Sequence, residues 1–496
     1  MQTWEDRDKR GPEPKECKRD NSKSLGYFNK FLQMYPENRS YPNVLMQAAL
    51  IYLSRLEEDK AYELWSKLVN DYSSSTLVPQ AHLRIGEYHY NNRKWRDAIK
   101  SYKKVAGFQN LKGKSAALAI YHLAESYNNI GDYELAAAKF FEYIVGSDNG
   151  KYPSDLRGEA LIFMAGTFAD LDNGIDVAQK FLGDKKVNFK DTLYYEIGMK
   201  NKSRDRLDEA VYSFNRLLEI NPDYVDAPLA DIAMINILEE KQEREKAHEA
   251  RLRVVKAYDN QSSWYRKNKS NKKSVTAARK AIRESYFQIP AYHHRNADKL
   301  DKSGDIESAN VIYLKAIKAY NSFLTVYPEP HWDQFQVHTF MAVVYMAIKD
   351  YKNAIVEYNW LADVKTSKFG RKTKGYPETL KQPEAGYNAV VAADMSRADA
   401  RKAMGDDPKK SYNLPETKAY FKQVEKYLAT YGSDPKNPAS AELAYNSALI
   451  HYEAEQYQTS IKVLTKLKRV YPNHKYIKEI MGCLLYTSPS PRDSDS

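Results

Sequence analysis

An all-α solenoid of stacked antiparallel helix pairs is the fold this sequence predicts, on three observations. A frame of two small residues and one large ring recurs along the chain at fixed spacing. Turn-forming words sit between the two small positions of each copy. The composition, 43% apolar and 28% charged with 40 tyrosines among 496 residues, can bury a core yet lacks the long apolar stretches of a membrane span. That length would suggest three or four ordinary domains, but repeat arrays break the conversion.

The frame is read from its anchors. Gly86, Ala124 and Gly198 are each followed twelve residues later by Ala98, Ala136 and Ala210, and sixteen later by Tyr102, Phe140 and Phe214. The same offsets from Ala49 give Ala61 and Trp65, and from Ala342 they give Ala354 and Tyr358. From Ala448 they give the weaker Ser460 and Leu464, and a blurred copy lies around Met164–Gly166 with Ala178. A small anchor lets a first helix approach its partner, and a small residue twelve later does the same on a second helix. The ring four residues further on shares the face of that second small residue, because positions i and i+4 stack. Turns are expected at Asn91-Asn92-Arg93, Asn129–Asp132 and Lys349-Asp350, and Tyr35-Pro36, Asn221-Pro222, Tyr327-Pro328 and Tyr471-Pro472 close units, since proline cannot continue a helix.

This pattern resembles the tetratricopeptide repeat (TPR) family, most clearly at Gly86/Ala98/Tyr102 and Gly198/Ala210/Phe214/Pro222. The resemblance implies an all-α, right-handed superhelical solenoid over most of residues 24–482. Units here run 37–38 residues against the family's length of about 34. Longer connections between units account for the excess.

Around that array the sequence divides into a polar and basic segment (1–23), a first run of repeats (24–261), a basic helical insertion (262–304), further repeats (305–362), a basic loop with a helical connection (363–414), a last run of repeats (415–482) and a tail (483–496). Phe28 and Phe31 are placed on the second helix of an incomplete first copy. The tail, CLLYTSPSPRDSDS, resembles a translated sequencing adapter and is set aside from fold reasoning. The array is therefore expected to be part of a longer protein, and no signal peptide is visible at the amino terminus. Cys17 and Cys483 cannot form a disulfide framework or a zinc cluster by themselves.

Charge is concentrated. Arg266, Lys267, Lys269, Lys272, Lys273, Arg279, Lys280 and Arg283 face a single acid, Glu284, over residues 266–284. Val275, Ala278, Ile282 and Tyr286 follow at helical intervals, so a loop leading into a long helix is expected. Such a patch suits nucleic acid or an anionic surface, although a solvated helix face is the simpler explanation, since no nucleic-acid motif accompanies it. A second basic loop holds Lys365, Lys368, Arg371, Lys372 and Lys374. His293 and His294, with Asp298 four residues on, read as ordinary polar residues and not as metal ligands. No phosphate-cradling glycine loop, nucleophile elbow or HExxH stands in the chain, so no catalytic residue, cofactor or metal site is assigned.

In the family, the concave groove is lined from the first helices, at positions three before, one after and four after each anchor. The resemblance carries this onto Leu83, Glu87 and Tyr90, onto Tyr121, Glu125 and Asn128, onto Tyr195, Met199 and Lys202, and onto Tyr445, Leu449 and Tyr452. Five of those twelve are tyrosines, which offer a large amphipathic contact at low entropy cost. They could equally fill a tight interior against one another. A clamp for a terminal carboxylate is excluded, because the position after the anchor holds no asparagine: it is Leu50, Glu87, Glu125, Met199, Val343 and Leu449. The function expected is a non-catalytic scaffold for peptide or protein partners. Tyr-Pro closures and the Tyr/Ala-rich units look like those of bacterial cell-envelope TPR proteins, which implies a periplasmic setting. The alternatives are a nucleic-acid- or anionic-surface-associated solenoid using 266–283, and a regulatory repeat region of an enzyme whose catalytic domain lies outside this chain.

Overall fold

The computed structural model describes residues 21–108, 113–153, 155–328, 332–364, 382–433 and 437–472, and among these it is built of helices with no strand. Both cysteines, the adapter-like tail and the second basic loop lie outside the described residues. Two compact units divide the chain, Met1–Ile237 and Leu238–Ser496.

The first unit contains α1 (Ser22–Met34), then hairpins of α2 (Tyr41–Ser54) with α3 (Glu58–Asp71), α4 (Val78–Asn91) with α5 (Trp95–Ala106), α6 (Gly113–Asn129) with α7 (Tyr133–Asp148), α8 (Arg157–Ala169) with α9 (Gly174–Leu182), and α10 (Lys190–Ser203) with α11 (Leu207–Ile220). The boundary between the units falls within α12 (Ala227–Glu240). The second unit continues with α13 (Arg244–Ala257), the short α14 (Ser263–Asn268), and the hairpin of α15 (Lys272–Lys302) with α16 (Ile306–Val326). It ends with α17 (Trp332–Ala347) and α18 (Tyr351–Asp363), α19 (Gln382–Ala403), α20 (Pro408–Tyr412) and α21 (Pro415–Tyr431), and α22 (Pro438–Glu453) with α23 (Tyr457–Val470).

One turn serves the hairpins. Seven residues after each anchor the backbone enters the left-handed region: Leu56 (φ 63°), Arg93 (58°), Gly131 (78°), Asp205 (59°), Gly304 (89°), Lys349 (59°) and Glu455 (62°). The next amide then donates back to a carbonyl in the last turn of the first helix, as in Lys94 N to His89 O at 2.8 Å, Arg206 N to Asn201 O at 3.0 Å and Asp350 N to Tyr345 O at 2.8 Å. This closure satisfies carbonyls that the helix end would otherwise orphan. Where the residue bonded in that way is an aspartate, it also caps the second helix: Asp132, Asp305 and Asp350 accept from the amides of Leu135, Ser308 and Asn353.

The small positions do what their size suggests. Ala49, Ala61, Ala98, Ala124, Ala136, Ala210, Ala342, Ala354 and Ala448 are fully buried. At Gly86 an added Cβ would lie 2.5 Å from Tyr102 Cε1, and at Gly198 it would lie 2.6 Å from Phe214 Cε1. Each ring therefore rests directly on the backbone of the first helix.

The basic stretch 262–304 is not an interruption of the stack. Its long helix α15 is the first member of a hairpin with α16, and the frame reappears there as Ala297, Ala309 and Tyr313, all buried in one apolar cluster. Tyr313 Oη donates to Asp298 at 2.7 Å across the pair. The loop expected at the start of this stretch is largely helical, as α14 and the first turns of α15.

Candidate functional site

In the first unit a cleft of about 350 Å³ opens beside α4. Residues spaced by three and four along α4 supply one wall, with Arg84, Glu87, Tyr88 and Asn91 presented on one stripe and Tyr90 beside them. His122 of α6, Leu53 of α2 and Glu58 of α3 also line it, and the frame rings Trp65 and Tyr102 reach it from the second helices α3 and α5. No serine, threonine or cysteine stands among its described lining residues.

The charged groups here are held in pairs. Arg84 Nη1 donates to Glu87 Oε2 at 2.7 Å, and His122 Nδ1 lies 2.8 Å from Glu125 Oε2. The His122 ring packs on Tyr102 at 5.7 Å and on Tyr90 at 5.4 Å, while Tyr90 meets Trp95 edge-on at 4.9 Å. Burial, reinforced by the Glu125 carboxylate, pushes the Tyr90 phenol up to about 12. Burial raises Tyr102 further, with Glu87, Tyr90 and Glu125 adding to it. On the outer side, Tyr88 donates to Asp59 Oδ1 at 2.6 Å.

Two features escape the sequence reading. Tyr102 is fully buried and Trp65 is 2% exposed, yet neither the Tyr102 hydroxyl nor the Trp65 indole N–H has a hydrogen-bond partner. Arg84 Nε is unpartnered as well. The sequence marks Trp65 and Tyr102 only as frame rings. Both carry a polar atom where Phe140, Phe214 and Leu464 carry none, but residue type alone does not separate them, since Tyr313 and Tyr358 carry a hydroxyl at the same slot.

The twelve expected groove positions are distributed unevenly. Glu87 and Tyr90 line the cleft, and Glu125 reaches it through His122. Asn128 is half-buried and its Oδ1 accepts from the Thr167 hydroxyl of α8 at 3.0 Å. Leu83 and Tyr121 are corrections. Leu83 is 4% exposed and belongs to the core between α4, α5 and α6, and Tyr121 is 3% exposed beneath Phe140, Tyr143 and Phe163. Position three before the anchor therefore faces the packing between repeats in these two copies.

Elsewhere in the first unit, Tyr195 leans half-buried on Phe214 and Tyr224, beside half-buried Met199 and Lys202. In the second unit Tyr445 packs against the core of α22 and α23, Leu449 is half-buried, and Tyr452 is exposed with its ring 5.4 Å from that of Tyr457.

Of the eight basic-patch residues, Arg266, Lys267, Lys269, Lys272, Lys273, Arg279 and Lys280 are exposed. Arg283 departs from the patch: it lies 3.0 Å from the Asp333 carboxylate and 4.7 Å over the Tyr327 ring, which makes it a packing residue. His294 Nδ1 lies 3.3 Å from the Tyr320 hydroxyl and its Nε2 lies 3.5 Å from Asp298, while His293 packs edge-on to His248. Among the described residues no group of three or more His, Cys, Asp or Glu could hold a metal ion, and no helix is long and apolar enough to cross a membrane.

Two stretches of the chain match known repeat models. Residues 83–154 match one tetratricopeptide-repeat family model, and residues 442–474 match another. No curated protein matches the chain. Solved structures it is similar to include a tetratricopeptide repeat protein from Parabacteroides merdae ATCC 43184, at 14% identity and a TM-score of 0.27, with 55% of this chain and 91% of that one covered. Another is the APC/C hetero-tetramer Cut9–Hcn1, at 12% identity and a TM-score of 0.23, with 94% of this chain and 93% of that one covered. At these scores neither speaks to function.

Proposed function

We infer that this chain, a protein of tetratricopeptide repeats, is a non-catalytic interaction scaffold whose partner segment lies over α4 and α6 at the cleft of the first unit. The observation that carries the reading is the cleft itself, an opening beside α4 with Glu87 and Tyr90 in its wall and Glu125 behind His122. Aromatic residues that combine apolar area with a polar tip are favoured at protein interfaces. Glu87 lies outside the apolar core, whereas Tyr90 packs against it, so the denaturation midpoint of each variant is measured beside its affinity.

The test is to select peptides from a randomised display library on the full chain and measure their affinity for variants. Glu87→Ala and Tyr90→Ala are expected to weaken binding by roughly tenfold each, about 1.4 kcal/mol. Tyr212→Ala, on the second helix α11, should leave it unchanged. Equal affinities for all three variants would overturn the reading. Setting the scaffold in a bacterial cell-envelope assembly is a finer proposal, supported by the Tyr-Pro closures at Tyr35, Tyr327 and Tyr471. Fractionation of cells expressing the full reading frame tests it, and recovery only with cytosolic markers would remove it.

A second reading is supported by one observation. Lys269, Lys272, Lys273, Arg279 and Lys280 are exposed with no carboxylate partner among the described residues. As an anionic-surface or nucleic-acid contact this patch would give binding to a generic oligonucleotide that falls steeply with salt. Absence of retention at low ionic strength would dismiss it.

A further inference from the structure

We propose that the cleft beside α4 takes an uncharged carboxamide, the side chain of an Asn or Gln presented by a partner segment. This rests on the scaffold reading and adds the chemistry that the cleft selects.

Each hairpin has a ring slot sixteen residues after its anchor. Phe140, Phe214 and Leu464 fill that slot in three hairpins, so packing there needs no polar atom; Tyr358 holds it in another, and where Tyr313 holds it the hydroxyl is paired with Asp298. In two consecutive hairpins the slot instead holds Trp65 and Tyr102, whose N–H and O–H are buried without a partner and which line the same cleft. A buried polar group left unpaired is a cost that packing gives no reason to carry. Arg84 adds a third unpaired donor, its Nε, while its Nη1 is held by Glu87. These donors are not reached by the carboxylates of Glu58 and Glu87 that stand in the same wall, and a ligand that completes them must bring its own acceptor.

Charge then narrows the ligand. A carboxylate would meet Glu58 and Glu87 against the single cation Arg84. An ammonium or guanidinium group carries only donors and would leave Trp65 and Arg84 unpaired. A carboxamide meets both conditions. Its oxygen accepts from the buried donors, and its NH₂ donates to Glu58 or Glu87, at no charge cost. The cleft volume of about 350 Å³ admits such a side chain with the backbone that carries it.

The probe is the randomised peptide library, selected on the full chain. Enriched peptides are expected to share an Asn or Gln at one position, and exchanging it for Asp or Leu should weaken binding by roughly tenfold. Tyr102→Phe should weaken the same peptides by about fivefold or more while its denaturation midpoint stays at or above that of the parent, because it removes only an unpaired hydroxyl. Trp65→Phe, which keeps a ring in the slot, should weaken them similarly. Peptides without a shared amide, or with equal affinity for parent and Tyr102→Phe, would overturn the carboxamide assignment and leave the scaffold reading standing. A lowered midpoint in Tyr102→Phe would also overturn it, since the hydroxyl would then serve the fold. A library with no enriched binder would remove both.

Discussion

In the α4–α5 hairpin the ring of Tyr102 rests on Gly86, and in the α10–α11 hairpin the ring of Phe214 rests on Gly198, with hypothetical Cβ contacts of 2.5 and 2.6 Å. Anchor, small partner and left-handed turn agree: Gly86/Ala98/Arg93 in one, Gly198/Ala210/Asp205 in the other. At the ring slot the two differ by one oxygen atom, and that oxygen is buried without a partner. Their shared geometry belongs to the fold. What distinguishes Tyr102 from Phe214 lies at the cleft, which Tyr102 lines together with Glu87 and Tyr90. Comparing equivalent positions within one chain thus separates framework from site, which a single repeat cannot do.

The comparison can be broken most forcefully by emptying both slots. Tyr102→Ala and Phe214→Ala should each cost about 3–5 kcal/mol in chemical denaturation, as large-to-small changes in a closed core do. A large loss at one position and a small loss at the other would end the equivalence. Next in size are Gly86→Ala and Gly198→Ala, where overpacking of about 1–3 kcal/mol outweighs the gain of about 1 kcal/mol in helix propensity. If either variant is stabilised, the ring does not rest on the glycine as described. The exchange of the two rings is sharper still. Phe214→Tyr should destabilise by about 1–3 kcal/mol by burying a new unpaired hydroxyl, whereas Tyr102→Phe should be neutral or stabilising. The smallest effect concerns the turn. Leu56→Gly and Lys349→Gly relieve a left-handed, non-glycine residue and should raise stability by about 0.5–1 kcal/mol each, with no effect on peptide affinity.

Much of this frame was legible in the sequence, because spacing alone carries it. Offsets of twelve and sixteen residues found six of the hairpins, and the turns expected at 91–93, 129–132 and 349–350 lie there, whereas those at Leu56 and Glu455 carry no asparagine, aspartate or glycine to announce them. One copy, Ala297/Ala309/Tyr313, obeys the same offsets but was hidden by the basic run before it and by a first helix extended to 31 residues. In another hairpin the ring slot holds Arg251, which pairs with Glu239 at 2.6 Å, so a search for an aromatic passes over it. The site was less legible. Whether the position three before an anchor is open or covered depends on the next repeat, and Phe163 of α8 covers Tyr121 from more than forty residues away. Unpaired donors at Trp65 and Tyr102 are likewise a property of what surrounds them. The residue types signal only that a hydrogen bond is possible.

The central claim is that a partner segment lies over α4 and α6, and photo-crosslinking addresses it most directly. A photoreactive phenylalanine analogue is placed at Tyr90 in one sample of the full chain and at exposed Tyr212 of α11 in another, each with the same library-selected peptide. The account predicts a crosslinked adduct from position 90, abolished by excess unlabelled peptide, and none from position 212. An adduct from position 212 with none from position 90 would contradict it.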